Sequence, residues 1–427
     1  MTKIQDFDKL LQLKESSYFR SFLSRLLKTN FFVLNSFLKR SIGFKFISVS
    51  LVLYFYFFYQ SKKTKVKKIC RKTDFNINII EYLLQDIENY KPTFYLPTAI
   101  IQIIVGMKRK RYSYNLEKEI LSLPDGGELL MEWFPDDFSS MEARTPIIIF
   151  NCGAAGNSSE SYCQEFCHLI KNKGWRMVVF NRRGFGTSDL KNNRFMWKDE
   201  VLDLKFAIKK ISDIFISAPL YMLGVSAGAN FATNYMGFIG NKTPIKAFVS
   251  ISNPFNIGRI SFNMKYGMMG KFFSKGIASN LKKLYQQHYK NPHFKNIIKN
   301  NFNLITKMDK KMHSTSTTWK LDKHITAKFG GFDSIYDYYT NISSENRIDN
   351  IKVPSLFINN QEDPICIKES VPIEKIYHNK NTILLFTQRG GHIEYLSGWN
   401  AEWWAFKTAL NYFEYFERYV DDKIIEY

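Results

Sequence analysis

From about Asn115 the chain alternates between short apolar runs and longer amphipathic ones. Ile120-Leu121-Ser122-Leu123 and Leu129-Leu130-Met131-Glu132-Trp133-Phe134 flank an Asp125-Gly126-Gly127 turn, and Asp-Gly between two such runs predicts a hairpin. Pro146-Ile147-Ile148-Ile149-Phe150 reads as a buried strand, Ser159 to Lys173 as a helix, Arg176-Met177-Val178-Val179-Phe180 as a second buried strand, and Glu200 to Ile211 as a helix. Leu220-Tyr221-Met222-Leu223 is a third such strand, with a helix-like stretch from Ala229, and Lys246-Ala247-Phe248-Val249-Ser250-Ile251 a fourth. Between about Phe255 and Asp349 the rhythm breaks into Lys-, Asn-, Phe- and Met-rich sequence that predicts helices inserted above a sheet. It resumes with Ser355-Leu356-Phe357-Ile358, Thr382-Ile383-Leu384-Leu385-Phe386 and a closing helix from Ala401 to about Arg418. Continuous apolar strands separated by helices predict an α/β fold: a mostly parallel central sheet with helices on both faces. There is no internal repeat.

The first ninety residues follow a different pattern. Over 1–41, Phe19, Phe22, Leu23, Leu26 and Leu27 fall at helical spacing among Arg20, Arg25 and Lys28, which suits a basic amphipathic segment at a membrane surface. Residues 42–60 carry the uncharged run Phe46 to Tyr59 and predict a transmembrane anchor, with Lys45 snorkelling. Residues 61–90 then open with Lys62-Lys63-Thr64-Lys65-Val66-Lys67-Lys68, a basic linker that attracts anionic headgroups at about 1 kcal/mol per charge. The domain that follows is expected over 91–427, with a helical lid at about 255–349. Seven Lys/Arg flank the expected span on its C-terminal side and four on its N-terminal side, so the positive-inside rule places the following domain in the cytosol, on an endomembrane such as the endoplasmic reticulum. Against this stand sequons at Asn157, Asn241 and Asn341, although a glycan at Asn157 would crowd a loop needed for chemistry.

Charge and cysteine content narrow the function classes. The 427 residues carry a net charge of +21, but +13 of it lies within residues 1–72, beside the expected span, which argues against nucleic-acid binding. Five cysteines at irregular spacing imply no disulfide framework. Gly184-Phe185-Gly186 is followed by Asp189 where a dinucleotide fingerprint needs a third glycine, and Cys163, Cys167 and His168 lack the partners of a zinc site; neither a cofactor nor a metal is expected.

The chemistry centres on Gly224-Val225-Ser226-Ala227-Gly228. A serine at a sharp strand-to-helix turn needs small neighbours two residues to either side, and the helix N-terminus behind it stabilises developing negative charge. Ser226 is the expected nucleophile. Its base should lie after the last strand, where Arg389-Gly390-Gly391-His392 stands; His288, His293, His313 and His324 fall in the insertion and His378 before the strand. The acid should lie past Ser355–Ile358, which offers Asp363 and its rival Glu362; Asp363 is preferred because Pro364-Ile365 turns the chain back into the fold. Oxyanion donors are expected from the amides of Ala227 and of Ala154, in the loop Asn151-Cys152-Gly153-Ala154-Ala155-Gly156.

Together with Pro92-Thr93-Phe94, Asn181-Arg182-Arg183-Gly184, Phe329-Gly330 and Asp337-Tyr338-Tyr339, these motifs resemble the α/β-hydrolase superfamily, specifically the membrane-anchored abhydrolase-domain lipases and phospholipases of AB hydrolase family four. The resemblance runs from about Lys91 to the C-terminus. It implies a Ser226, Asp363, His392 triad, a membrane anchor and acyl-glycerolipid substrates. Cys152 stands where the family usually has Pro or His, and Asn193 where a Thr-Pro-Arg element is usual, while Arg194 and Asp203 match. The expected function is a membrane-anchored serine hydrolase that cleaves carboxylic esters of acylglycerols or phospholipids through an acyl-serine. The expected partners are the lipid ester and the membrane, with no nucleic acid, and the sequence leaves protein partners open. The alternative, motivated by Cys152, is an inert membrane-tethered scaffold of the same fold.

Overall fold

The computed structural model describes residues 42–192, 194, 200–290 and 315–420, with side-chain detail absent at 42–49, 60, 62, 289 and 329. The basic segment 1–41, Asn193, and the stretch 291–314 of the expected lid lie outside the described residues. The chain divides into two units, Met1–Gln60 and Ser61–Tyr427.

The described part of the first unit belongs to helix α1, Ile42–Lys62. Among the described residues no helix is long and apolar enough to cross a membrane. The expected anchor over 42–60 falls partly on residues 42–49, whose side chains lie outside the described residues. Its described apolar side chains run from Leu51 to Tyr59. They include Tyr54, Tyr56 and Tyr59, each more than 40% exposed.

In the second unit nine strands form one sheet: β1 Val66–Cys70, β2 Glu117–Ser122, β3 Glu128–Phe134, β4 Ile147–Asn151, β5 Arg176–Asn181, β6 Leu220–Val225, β7 Ile245–Ile251, β8 Ser355–Asn360 and β9 Thr382–Thr387. Their spatial order is β1-β9-β8-β7-β6-β4-β5-β3-β2. The run from β5 through β4, β6, β7 and β8 to β9 is parallel, while β2, β3 and β1 join antiparallel at the two ends. The hairpin is as expected, with Ser122 opposite Glu128 and Gly126 at φ 78°.

The helices used below are α2 Ala99–Lys108, α3 Ser161–Lys173, α4 Val201–Ile214, α5 Ala227–Ile239, α6 Ile257–Tyr266, α7 Met268–Lys290, α8 Ile335–Ile342 and α9 Trp404–Tyr419. Strand residues alternate between the two faces. Ile148, Phe150, Val179, Tyr221 and Leu223 pack with α3 and α9, and Ile147, Ile149, Val178, Met222 and Phe248 pack with α4 and α5. Each central strand is therefore apolar at nearly every position, which is why the sequence shows runs rather than alternation.

Strand β1 overturns the linker expected over 61–90. Val66 pairs opposite Thr387 and Cys70 opposite Ile383, while Lys67 and Lys68 stay exposed on the outer edge. Lysine on an edge strand blocks pairing with other chains. Helices Asp74–Tyr82 and Leu84–Asn89 follow, and Ile79, Leu83, Ile87 and Tyr90 are buried in the core beside α9. The unit thus begins at Ser61 rather than Lys91.

Candidate active site

Strand β6 ends at Val225, and the chain turns through Ser226 into α5. Ser226 adopts φ 52°, ψ −125°, which costs a non-glycine residue about 1–2 kcal/mol. The turn is held on both sides: Ser226 N–H donates to the Ile251 carbonyl at 2.9 Å, and Asn230 N–H donates to the Ser226 carbonyl at 3.1 Å. A Cβ at Gly224 would come within 2.7 Å of Ala229 Cα, and one at Gly228 would overlap the Asn151 and Cys152 carbonyls. Both glycines are thus required by close backbone approach.

Two loops bring the other groups to Ser226. His392 follows β9 and Asp363 follows β8. His392 Nε2 lies 2.7 Å from Ser226 Oγ, and Nδ1 lies 2.7 Å from Asp363 Oδ2. Asp363 Oδ1 is occupied by the Ile365 and Cys366 amides at 2.8 and 2.9 Å, leaving Oδ2 for the imidazole. A carboxylate only accepts, so Nδ1 carries the hydrogen and Nε2 offers its lone pair to the serine. The His392 turn is pinned by Asn360 Nδ2 donating to the Gly391 carbonyl at 2.7 Å and by Ser252 Oγ donating to the His392 carbonyl. Burial lowers the His392 pKa, but the Asp363 carboxylate and, behind it, Glu394 outweigh this and leave it above its ordinary value.

The rival acid, Glu362, points elsewhere: it is half exposed and sits 3.7 Å from Arg389. His288 bonds the Gly184 carbonyl and His378 ends a helix away from the serine, while His293 and His313 lie outside the described residues. Ala154 and Ala227 line the same cavity as Ser226, and among the described residues neither backbone amide has a hydrogen-bond partner. The Gly153 amide, by contrast, is spent on Tyr162 Oη at 3.2 Å, which fixes the loop beneath Ala154. Cys152 is buried, with its thiol beside Tyr162 and Cys163, and so turns away from the serine.

Among the described residues the metal-ligand types that cluster are Asp363, Cys366 and His392, with donor atoms within 4.8 Å of one another. All three are committed: His392 to Asp363 and Ser226, and Cys366 Sγ to the Ser252 carbonyl at 3.1 Å.

A profile of the alpha/beta hydrolase fold matches residues 145–397, more than half of the chain. The chain belongs to the α/β-hydrolase family. It is 31% identical over 360 residues to an abhydrolase domain-containing protein of Dictyostelium discoideum, covering 81% of this chain and 85% of that one. To the human phospholipase ABHD3 it is 28% identical over 365 residues, covering 84% and 86% of the two chains. To a Saccharomyces cerevisiae monoacylglycerol lipase it is 28% identical over 330 residues, covering 75% and 67%.

Above the serine of this hydrolase fold lies a cavity of about 570 Å³. Its apolar wall comes from Phe231 of α5, Ile260 and Met264 of α6, and Ile277 and Leu281 of α7; Arg182, Glu200 and Asp322 give it polar points. Arg182 pairs Glu200 at 3.5 Å, and burial pushes the Asp322 carboxyl up to about 6 despite hydrogen bonds from Thr326 and Tyr339. The loop carrying Arg182 is locked from below. Arg183 makes a two-pronged bond to Asp203 of α4 at 2.6 and 2.7 Å and a third to Asp125 in the hairpin turn at 2.7 Å. Arg194 reaches the same Asp125 at 2.6 Å. Three groups escaped the sequence reading: Tyr162, Ser252 and Glu394. Only Glu394 left a trace, as an acid inside the otherwise uncharged run Ile393 to Trp399.

Proposed function

We propose that this protein is a serine hydrolase that cleaves carboxylic ester bonds of acylglycerols or phospholipids through an acyl-Ser226 intermediate. The observation that carries the reading is the hydrogen-bonded line Ser226, His392, Asp363, with 2.7 Å at each step, at the floor of a largely apolar cavity. His392 Nε2 takes the Ser226 proton as Oγ attacks the ester carbonyl, and Asp363 steadies the imidazolium that forms. The Ala154 and Ala227 amides receive the oxyanion. His392 then gives its proton to the departing alcohol, and a water activated by the same imidazole releases the fatty acid and restores Ser226.

Substrate class is supported by two further points. The cavity volume falls within the ~300–1,000 Å³ of small-ligand sites, and its wall of Phe, Ile, Met and Leu suits an acyl chain. Relatives of similar length include a phospholipase and a monoacylglycerol lipase. Helices α6 and α7 act as a lid and meet the membrane: no Asp or Glu occurs between Phe255 and Lys290, and Phe262, Tyr266, Met268 and Phe272 are exposed among Arg259, Lys265, Lys271 and Lys275. Such a face is drawn to anionic lipid. The scaffold alternative loses its motive, because Cys152 packs inward.

The test is a fluorophosphonate probe together with a lipid-class screen on the wild type and on Ser226→Ala. Wild type is labelled and releases fatty acid; the variant is unlabelled and loses at least ~10³-fold in turnover. Equal labelling of the two proteins overturns the reading.

A further inference from the structure

One buried acid in the turn that carries His392, two residues further along the chain, has no part in that sequence of steps. Glu394 is 3% exposed, and its Oε2 has no hydrogen-bond partner among the described residues. The backbone amides of His392 and of Glu394 itself favour its charged form. The Gly391 amide closes the turn onto the Glu394 carbonyl at 3.0 Å. Helix α2 supplies a fitted cradle: a Cβ at Gly106 would overlap Glu394 Cγ, and one at Gly391 would come within 3.0 Å of Glu394 Cβ. Gln102, the polar side chain that α2 brings next to this turn, is spent on the Leu96 carbonyl and the Leu396 amide at 3.2 and 3.3 Å. The charged groups that act most strongly on Glu394 are His392 and Asp363. Burial works against its ionisation and pushes it up to about 7, while His392 and the two amides pull the other way. In return, its charge adds to that of Asp363 in raising His392.

We propose that Glu394 is a positioning residue that sets the basicity of His392 from behind, so that two carboxylates rather than one hold the imidazole of the triad. An oxygen left unpaired in a dry cradle costs stability, and a neutral side chain of the same shape would avoid that cost. Ionised Glu394 favours the imidazolium that exists while the Ser226 proton is in transit. The proposal rests on the serine-hydrolase reading above.

The sign follows from the base's role. His392 works when neutral, so a neighbouring charge that raises its pKa moves the acid limb of the kcat/KM profile to higher pH. Glu394→Gln keeps the shape and removes the charge. On a soluble ester its acid limb falls by about half a pH unit or more, with the plateau within about threefold of wild type. A lowered plateau with an unmoved limb means packing alone and overturns the proposal. In case the variant does not fold, the unaltered protein decides by NMR: coupling gives the His392 ring nitrogens two inflections across the pH range, and a single one-site curve overturns the proposal. Fluorophosphonate labelling of the same samples separates the two levels. A labelled enzyme whose limb does not move rejects Glu394 alone, whereas an unlabelled, inactive wild type rejects the hydrolase reading and leaves the NMR titration to decide Glu394.

Discussion

Asp363 and Glu362 are adjacent carboxylates in one loop with opposite fates. Asp363 is fully packed, two backbone amides fix its Oδ1, and its Oδ2 meets His392; Glu362 leans out toward Arg389. Asp363→Asn swaps an acceptor for an amide and invites the wrong imidazole tautomer, so it should cost on the order of 10³–10⁴ in kcat. Glu362→Gln should stay within about threefold. Steady-state rates on one soluble ester compare them directly, and a larger loss at Glu362 would reverse the assignment. The sequence pointed to Ser226, Asp363 and His392, which the fold brings within hydrogen-bond reach, because each sits in a local motif whose backbone demands are visible: flanking glycines, a strand-end acid before Pro364, a glycine pair before the histidine. Tyr162 and Ser252 reach the site only through tertiary proximity, and no spacing in the chain announces them.

At the scale of elements, legibility followed burial. Strands β4 to β9 are covered on both faces and show as unbroken apolar runs, so their boundaries were expected to within a few residues. Strand β1 offers only Val66 and Cys70 to one face of the core and Ile69 to the other, within a lysine-rich stretch whose composition reads as a solvated linker. The insertion was legible as helices but not in its detail, because α6 divides its apolar residues between two surroundings. Ile260 and Met264 face the cavity, while Phe262 and Tyr266 are 66% and 56% exposed with their rings 4.7 Å apart. That outward pair and Phe272 should matter only at an interface. Each phenylalanine gains ~1.5–3 kcal/mol if fully removed from water, so the double variant Phe262→Ser with Phe272→Ser should hydrolyse esters held in anionic vesicles at least ~10-fold more slowly. Its rate on a soluble short-chain ester should be unchanged, since both side chains lie at the surface. Loss on both substrates would point to a damaged fold, and loss on neither would take this face out of membrane contact.

The whole molecule sets where the catalytic unit begins. Motif likeness placed the start near Lys91, because the recognisable elements cluster downstream of it. The packing places it thirty residues earlier. Ile79 and Tyr90 are wholly buried, Leu83 nearly so, and Tyr90 stacks on Trp404 of α9 with ring centroids 4.3 Å apart while its hydroxyl reaches the Arg389 carbonyl at 2.9 Å. Arg389 opens the very turn that delivers His392. Strand β1, meanwhile, covers β9, the strand from which that turn departs. A chain started at Ser61 keeps all of this, and one started at Lys91 uncovers the β9 edge, removes a stretch of core and leaves Trp404 without its neighbour. Deleting several buried side chains at ~2–5 kcal/mol each exceeds the ~5–15 kcal/mol by which such domains are stable. The 61–427 chain should therefore melt cooperatively and retain soluble-ester turnover within about threefold of the full chain, while the 91–427 chain should be insoluble or inactive. Circular-dichroism melts and fluorophosphonate labelling of the two proteins provide the comparison, and a folded, labelled 91–427 chain would show that β1 and its two helices are appendages rather than supports of the histidine turn.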